Sequence, residues 1–150
     1  MKKVLIAVDF SDVTPRVLEN AKDIAKSCGS EVRLIHVAPP DVDFVAYSPG
    51  GIPPIHAMGA TATQRDLRME TERLAMLMEQ LKRDGINTTA TVLEGPIVPT
   101  LVDEAKEWAA DMVVMGSHGH SALYELFVGS ITEGVLRRAT MPVFVVPSRS

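Results

Sequence analysis

One cysteine, Cys28, stands in the whole chain, so no intrachain disulfide can staple the fold. That usage fits a reducing compartment. Aromatic residues make up only 5% of the sequence, too few to build a platform on which nucleic-acid bases would stack. No basic run offers a track for a phosphate backbone, and the formal net charge is −4. The early apolar run from Val4 to Val8 is too short for a membrane span or a signal core. Nucleic acid and membrane are therefore not expected partners, and the expected location is cytoplasmic. Three familiar signatures are also missing. There is no Gly-x-x-x-x-Gly-Lys-Ser/Thr loop and no Gly-x-Ser-x-Gly elbow. There is no Gly-x-Gly-x-x-Gly after the first strand, where the chain reads Asp9-Phe-Ser-Asp-Val-Thr-Pro15.

What is present has the balance of a globular chain, with 46% apolar and 23% charged residues. Its 150 residues suit one domain, 1–150, with a core that needs no staples. Lys3 to Val8 is almost wholly apolar, as a strand buried on both faces would be. Thr14-Pro15 predicts a helix start with Thr14 as N-cap, and Gly29 predicts its end. Cys28, just before that end, reads as a structural or neutral thiol rather than a catalytic one. Val32 to Val37 forms the second strand, with His36 expected as a packed, hydrogen-bonded residue. Residues 38–62 hold five of the ten prolines and predict a long loop.

Gln64 to Arg83 predicts a helix, with Leu67, Leu74, Leu77, Met78 and Leu81 on one face. Met69, Met76 and Met78 are expected to fill gaps in the core. Thr88 to Leu93, Asp111 to Met115 and Pro142 to Val146 complete five strands. Helical spacing recurs from Ile97 to Ala109 and from Ile131 to Ala139. Strand–helix alternation of this kind predicts an α/β fold: a doubly wound five-stranded parallel sheet, order 3-2-1-4-5, with helices on both faces. The switch point then lies between strands 1 and 4, beyond whose carboxyl ends ligands bind. Asp9 and Gly116 both follow those strands, so distant parts of the chain converge on one crevice.

At that crevice the spacing is informative. Gly116-Ser-His-Gly119, nine residues, then Gly129-Ser130 leaves a strand and re-enters at a helix start. Glycines let the backbone approach an anion, and the free N–H groups of a first helical turn point at it. The spacing implies nucleotide binding. Ser130 also reads as the start of a capping box, Ser130-Ile-Thr-Glu133, whose hydroxyl would compete for the same donors. Asp9 could accept bonds from ribose hydroxyls, hold a divalent cation, or be an ordinary turn aspartate. His118 and His120 could ligate a metal or sit beside a phosphate, and no acidic or cysteine cluster accompanies them.

Together these residues resemble the universal stress protein family. Val114-Met-Gly-Ser-His-Gly119 through Gly129-Ser130 is similar to that family's Gly-x-x-Gly, nine residues, Gly-Ser/Thr signature. Val4-Leu-Ile-Ala-Val-Asp9, Leu34-Ile-His-Val37 and Met141-Pro-Val-Phe-Val-Val-Pro147 resemble its opening, second and closing strands. The resemblance implies the ATP-binding subclass, with ATP accompanied by Mg or Mn. By it, Asp9 meets the ribose or adenine side and the Val37 backbone contacts adenine. Met115 and Gly116 line the ribose and phosphate approach. Gly119, Gly129 and Ser130 cradle phosphates, and Ile131 and Thr132 supply helix-start contacts. Many family sequences carry a basic residue where this chain has His120, which implies weaker charge compensation and an affinity that rises as pH falls toward 6.

The resemblance further implies a homodimer through strand 142–146, whose uniformly apolar edge invites pairing. No general base or arginine finger is evident, so a stress-response regulator that binds ATP without efficient turnover is expected. A slow metal-dependent ATPase and a nucleotide-independent dimeric adaptor are the alternatives. An unknown protein partner would read the nucleotide state.

Overall fold

A computed structural model describes residues 1–39, 59–117 and 130–148. Within them the chain alternates strand and helix: β1 (Lys3–Ala7), α1 (Thr14–Cys28), β2 (Glu31–Ala38), α2 (Gly59–Arg83), β3 (Thr88–Glu94), α3 (Ile97–Glu107), β4 (Met112–Gly116), α4 (Ser130–Arg138) and β5 (Val143–Val146). The strands form one sheet in the order β3-β2-β1-β4-β5. Every pairing is parallel, with Ile6 opposite Leu34 on one side and Val114 on the other. The expected strand order is thus the observed one.

Alternation along the strands divides the core between two faces. Val4 and Ile6 join Val17, Leu18 and Ala21 of α1 and Leu74 and Leu81 of α2. Leu5 turns the other way and joins Leu101, Val102 and Ala105 of α3 and Val135 of α4. Leu5, Ile6, Leu34, Ile35, Val113 and Val114 are fully buried, which explains why the central strands carry no polar side of their own. Where α4 crosses α3, the absence of a side chain at Gly134 permits close approach. A Cβ there would lie 2.9 Å from Val98 Cγ2.

Several local expectations need correction. Val13, not Thr14, is the N-cap of α1; Thr14 opens the helix itself, and Pro15 follows within its first turn. The N-cap makes no side-chain hydrogen bond. The helix does end at Gly29, whose φ of 60° is the left-handed conformation glycine adopts freely. The loop expected over 38–62 overlaps both neighbouring elements, since β2 runs to Ala38 and α2 begins at Gly59; residues 40–58 lie outside those described. Met69 and Met76 are 55% and 72% exposed rather than packed in the core. They lie on the outer side of α2, away from buried Leu74 and Leu81. Smaller shifts affect β4, which starts at Met112, α4, which starts at Ser130, and β5, which starts at Val143.

The end of the sheet where the strands begin is tied together by polar groups. Asp111 Oδ2 accepts the backbone N–H of Lys2 at 2.6 Å and of Lys3 at 2.9 Å. These two donors stabilise the charged carboxylate and hold its pKa below the ordinary 3.8. Arg33 meets Glu104 at 2.6 Å and lies over the Trp108 ring, as does Lys3.

Candidate functional site

At the opposite end, where strands finish, a cleft opens above β1 and β4. It offers about 90 Å³ to the centres of water-sized molecules. Its walls come from the β1–α1 turn, β2, the start of α3, the end of β4 and the start of α4. Ala7, Val37, Ile97, Leu101, Met115 and Ile131 make it largely apolar, while Asp9, Ser11, Thr14 and Thr132 add polar groups. This is the composition of a pocket that takes a flat organic ring and a few hydrogen-bonding groups.

The sheet positions these residues through its topology. β1 and β4 are adjacent, yet the helices that follow them, α1 and α4, pack on opposite faces, so a gap lies above the two strand ends. Asp9 stands at the mouth of that gap. Its Oδ1 accepts the Ser11 N–H at 3.0 Å and the Ser11 hydroxyl at 2.6 Å, an Asx turn that orients the carboxylate.

Phe10 follows with φ of 58°, a left-handed conformation that costs a non-glycine residue on the order of 1–3 kcal/mol. Thr14, at the first turn of α1, is 7% exposed, and its hydroxyl has no hydrogen-bond partner among the described residues.

Val37 is placed by the ladder. The last β1 rung is Val8 N–H to Ile35 O at 3.0 Å, beyond the Ala7–Ile35 pair. Two residues later, Val37 has the same orientation as Ile35, so its N–H and C=O turn to the β1 side, past the last rung. A regular ladder would continue from Val8 O to the Val37 N–H. Instead, His36 Nδ1 lies 2.8 Å from Val8 O. His36 is 7% exposed, packed and hydrogen-bonded as its place in β2 implied. Its Nε2 comes within 3.5 Å of Glu70 Oε1 without hydrogen-bond geometry.

The far wall is fixed by Thr132. Its hydroxyl donates to Gly116 O and to Ser117 O, both at 3.1 Å, and the residue is 2% exposed. This bond ties the start of α4 to the exit of β4. The side-chain hydroxyl is therefore engaged by backbone, which leaves main-chain groups as the part of Thr132 available to a ligand. Ser117 Oγ in turn accepts the Ser148 N–H at 3.1 Å, holding the chain just after β5 to the same exit.

Of the residues expected at the site, Asp9, Val37, Met115, Gly116, Ile131 and Thr132 line the one cleft. Ser130 is exposed and opens α4 beside them. Gly119, His120 and Gly129 lie outside the described residues, as does His118. The capping box expected from Ser130 to Glu133 does not hold its glutamate. Glu133 Oε1 accepts from Arg137 Nε at 3.0 Å and Nη2 at 2.7 Å, one turn further along the exposed face. Ser11, Thr14, Ile97 and Leu101 also line the cleft and were not singled out from the sequence. Among the described residues, no group of three or more His, Cys, Asp and Glu side chains is placed to hold a metal ion. No described helix is long and apolar enough to cross a membrane.

Comparison with known proteins places this geometry. Over 147 residues the chain is 32% identical to Universal stress protein MJ0531 of Methanocaldococcus jannaschii, spanning 97% of this chain and 81% of that protein. The solved structure of protein MJ0577 from the same organism superimposes with a TM-score of 0.81 at 24% identity, covering 99% of this chain and 97% of that one. A universal stress protein from Archaeoglobus fulgidus, solved in complex with dAMP, matches with a TM-score of 0.68 at 23% identity, covering 97% of each chain. The Universal stress protein family pattern matches residues 1–147, and the chain belongs to that family.

Proposed function

We propose that this chain is a cytoplasmic regulatory protein of the stress response that binds ATP in the cleft above β1 and β4. One observation carries the reading. Asp9, the outward-turned backbone of Val37 and the Met115–Gly116 exit, drawn from three strands, face one apolar space beside the start of α4. The aliphatic walls suit adenine, and the Val37 N–H and C=O suit its donor and acceptor edge. The Asp9 carboxylate suits ribose hydroxyls. Ser130 and the N–H groups of Ile131 and Thr132 suit phosphate at a helix start. The signature glycines Gly119 and Gly129 would complete the cradle. The dAMP held by the Archaeoglobus relative supports an adenine nucleotide as ligand class.

Mg or Mn would accompany the phosphates and neutralise their charge. The described side chains hold no acidic or histidine cluster for a resident ion, so the phosphates themselves would supply most of the metal's ligands. The output would pass through a second copy and a protein partner. β5 is the sheet edge and its Phe144 is 39% exposed, an edge suited to pairing with the β5 of another copy.

Denaturing the purified protein and analysing the released nucleotide tests the reading directly. ATP in the supernatant, and a calorimetric titration with Mg-ATP that saturates at one site per chain, are the expected results. Released ADP would favour slow hydrolysis. No nucleotide and no thermal shift with ATP would overturn binding and leave the dimeric adaptor. Gly129→Val is expected to abolish binding in a folded protein by crowding the phosphates. The His120 substitution for a basic residue predicts tighter binding at pH 6 than at pH 8, and equal constants would reject that dependence.

A further inference from the structure

The turn that carries Asp9 is held from both sides by one buried side chain. β2 is apolar along the face toward α1 and α2 except at His36. Because Val8 O can only accept, His36 Nδ1 must carry the hydrogen in their 2.8 Å contact, which sets the ring's orientation. Val8 immediately precedes Asp9. Phe10 immediately follows it, and the Phe10 ring rests on the His36 ring, centroids 4.5 Å apart and planes tilted by 39°. A hydrogen bond thus fixes the residue before Asp9 and a ring contact fixes the residue after it.

The backbone of Phe10 makes the arrangement more telling. At φ of 58° glycine would be unstrained, yet the position holds an aromatic side chain. Such strain persists only where surrounding contacts determine it. Those contacts extend to α2: the Arg73 guanidinium lies over the Phe10 ring, 4.4 Å from its centroid, and Glu70 approaches His36 Nε2. The β1–α1 turn, β2 and α2 thus meet through Phe10, His36 and Arg73.

Resting on the nucleotide reading of the cleft, we infer that His36 is a positioning residue for the ligand site. It presets the Asp9 carboxylate through Val8 and Phe10 and joins it mechanically to α2. The benefit is preorganisation: a carboxylate already held in place loses less freedom when ribose binds. By linkage, a ligand that tightens Asp9 also tightens the contact of Arg73 with Phe10, so α2 responds to occupancy. His36 does the second task at Val8 O as well. By engaging that carbonyl it ends the β1–β2 ladder and leaves the Val37 backbone turned to the cleft.

Calorimetric titration with Mg-ATP of the wild type, His36→Leu, His36→Asn and Arg73→Met, each with its melting curve, tests this. His36→Leu keeps an apolar volume and loses the donor; affinity should fall about tenfold, the net value of one hydrogen bond. His36→Asn has an amide that reaches the same carbonyl and should recover to within about threefold of wild type. Arg73→Met, on the exposed side of α2, should weaken binding about threefold, as loss of a cation over a ring does.

The His36 ring does not line the cleft, yet its Nδ1–H resonance should shift on saturation with nucleotide. A folded His36→Leu protein that binds like wild type, or an Asn variant no better than the Leu variant, overturns the inference. If the Leu variant does not fold, an unchanged affinity in Arg73→Met overturns it instead. A wild type that binds no ATP defeats the nucleotide reading itself, an outcome visible before any variant is compared.

Discussion

The two ends of the sheet follow different rules. Where the strands begin, polar groups are matched within the protein: Asp111 holds two backbone N–H groups, Arg33 holds Glu104, and both Lys3 and Arg33 cover Trp108. Where the strands finish, Asp9, held by Ser11, and the Val37 backbone are gathered at an open cleft, beside a buried Thr14 hydroxyl with no partner among the described residues. Matched polar groups are what a fold needs to stay closed, while polar groups turned past the ladder are what a ligand needs. A parallel sheet allows both at once because all strands finish on the same side. Stability and binding should therefore separate when each end is altered alone.

The largest effect is expected at Asp9. Asp9→Ala should weaken ATP binding roughly 10- to 100-fold, the range for hydrogen bonds to a charged group. Calorimetry on folded protein would show it, and an unchanged constant would move the ligand away from this cleft. At the other end, Arg33→Met removes the Glu104 ion pair and the cation over Trp108 together. Both groups are partly solvated, so unfolding free energy should fall by only about 1 kcal/mol in chemical denaturation. ATP affinity should not change.

The smallest effect concerns Asp111 and acid. Its folded pKa lies below the unfolded value because the Lys2 and Lys3 N–H groups favour its charge. The resulting stabilisation is complete above about pH 4 and is lost as pH falls through the folded value. Asp111→Asn should flatten the acid limb of a plot of melting temperature against pH, with nucleotide binding at neutral pH unaltered. A variant with the wild-type acid limb would assign acid sensitivity to other carboxylates.

The fold was legible because burial on both faces leaves a plain mark. Val4 to Val8, Val32 to Val37 and Val113 to Met115 are runs without polar alternation, and with helices between them only a few parallel orders are possible. The convergence of Asp9 and Gly116 followed from that order. What stayed hidden depends on contacts between residues far apart in the chain. Spacing shows that His36 is a polar residue in an apolar strand; it does not show that its ring meets Val8 O and Phe10. Nor does it reveal that the Thr132 hydroxyl is engaged by Gly116 and Ser117.

The methionines are a different case. At about 100° per residue, Met69 and Met76 fall well away from the Leu74–Leu81 stripe. Their exposure was written in the helical period, and only their apolar character argued against it. Glu133 erred in the opposite direction: a capping box was readable at Ser130, but Arg137 one turn later offered a charged partner for the same carboxylate.

The contact of Gly134 with Val98 has an evolutionary consequence. Two helices spaced by a missing side chain cannot change independently: a methyl group gained at 134 has to be answered by volume lost at 98. In descendants of this chain the two positions should drift as a pair, and Gly134→Ala should be tolerated better with Val98→Ala than without it. Since Gly134 stands about one turn beyond Ser130, that pairing also limits how far the start of α4 can wander while the lineage keeps its mouth open to the same guest.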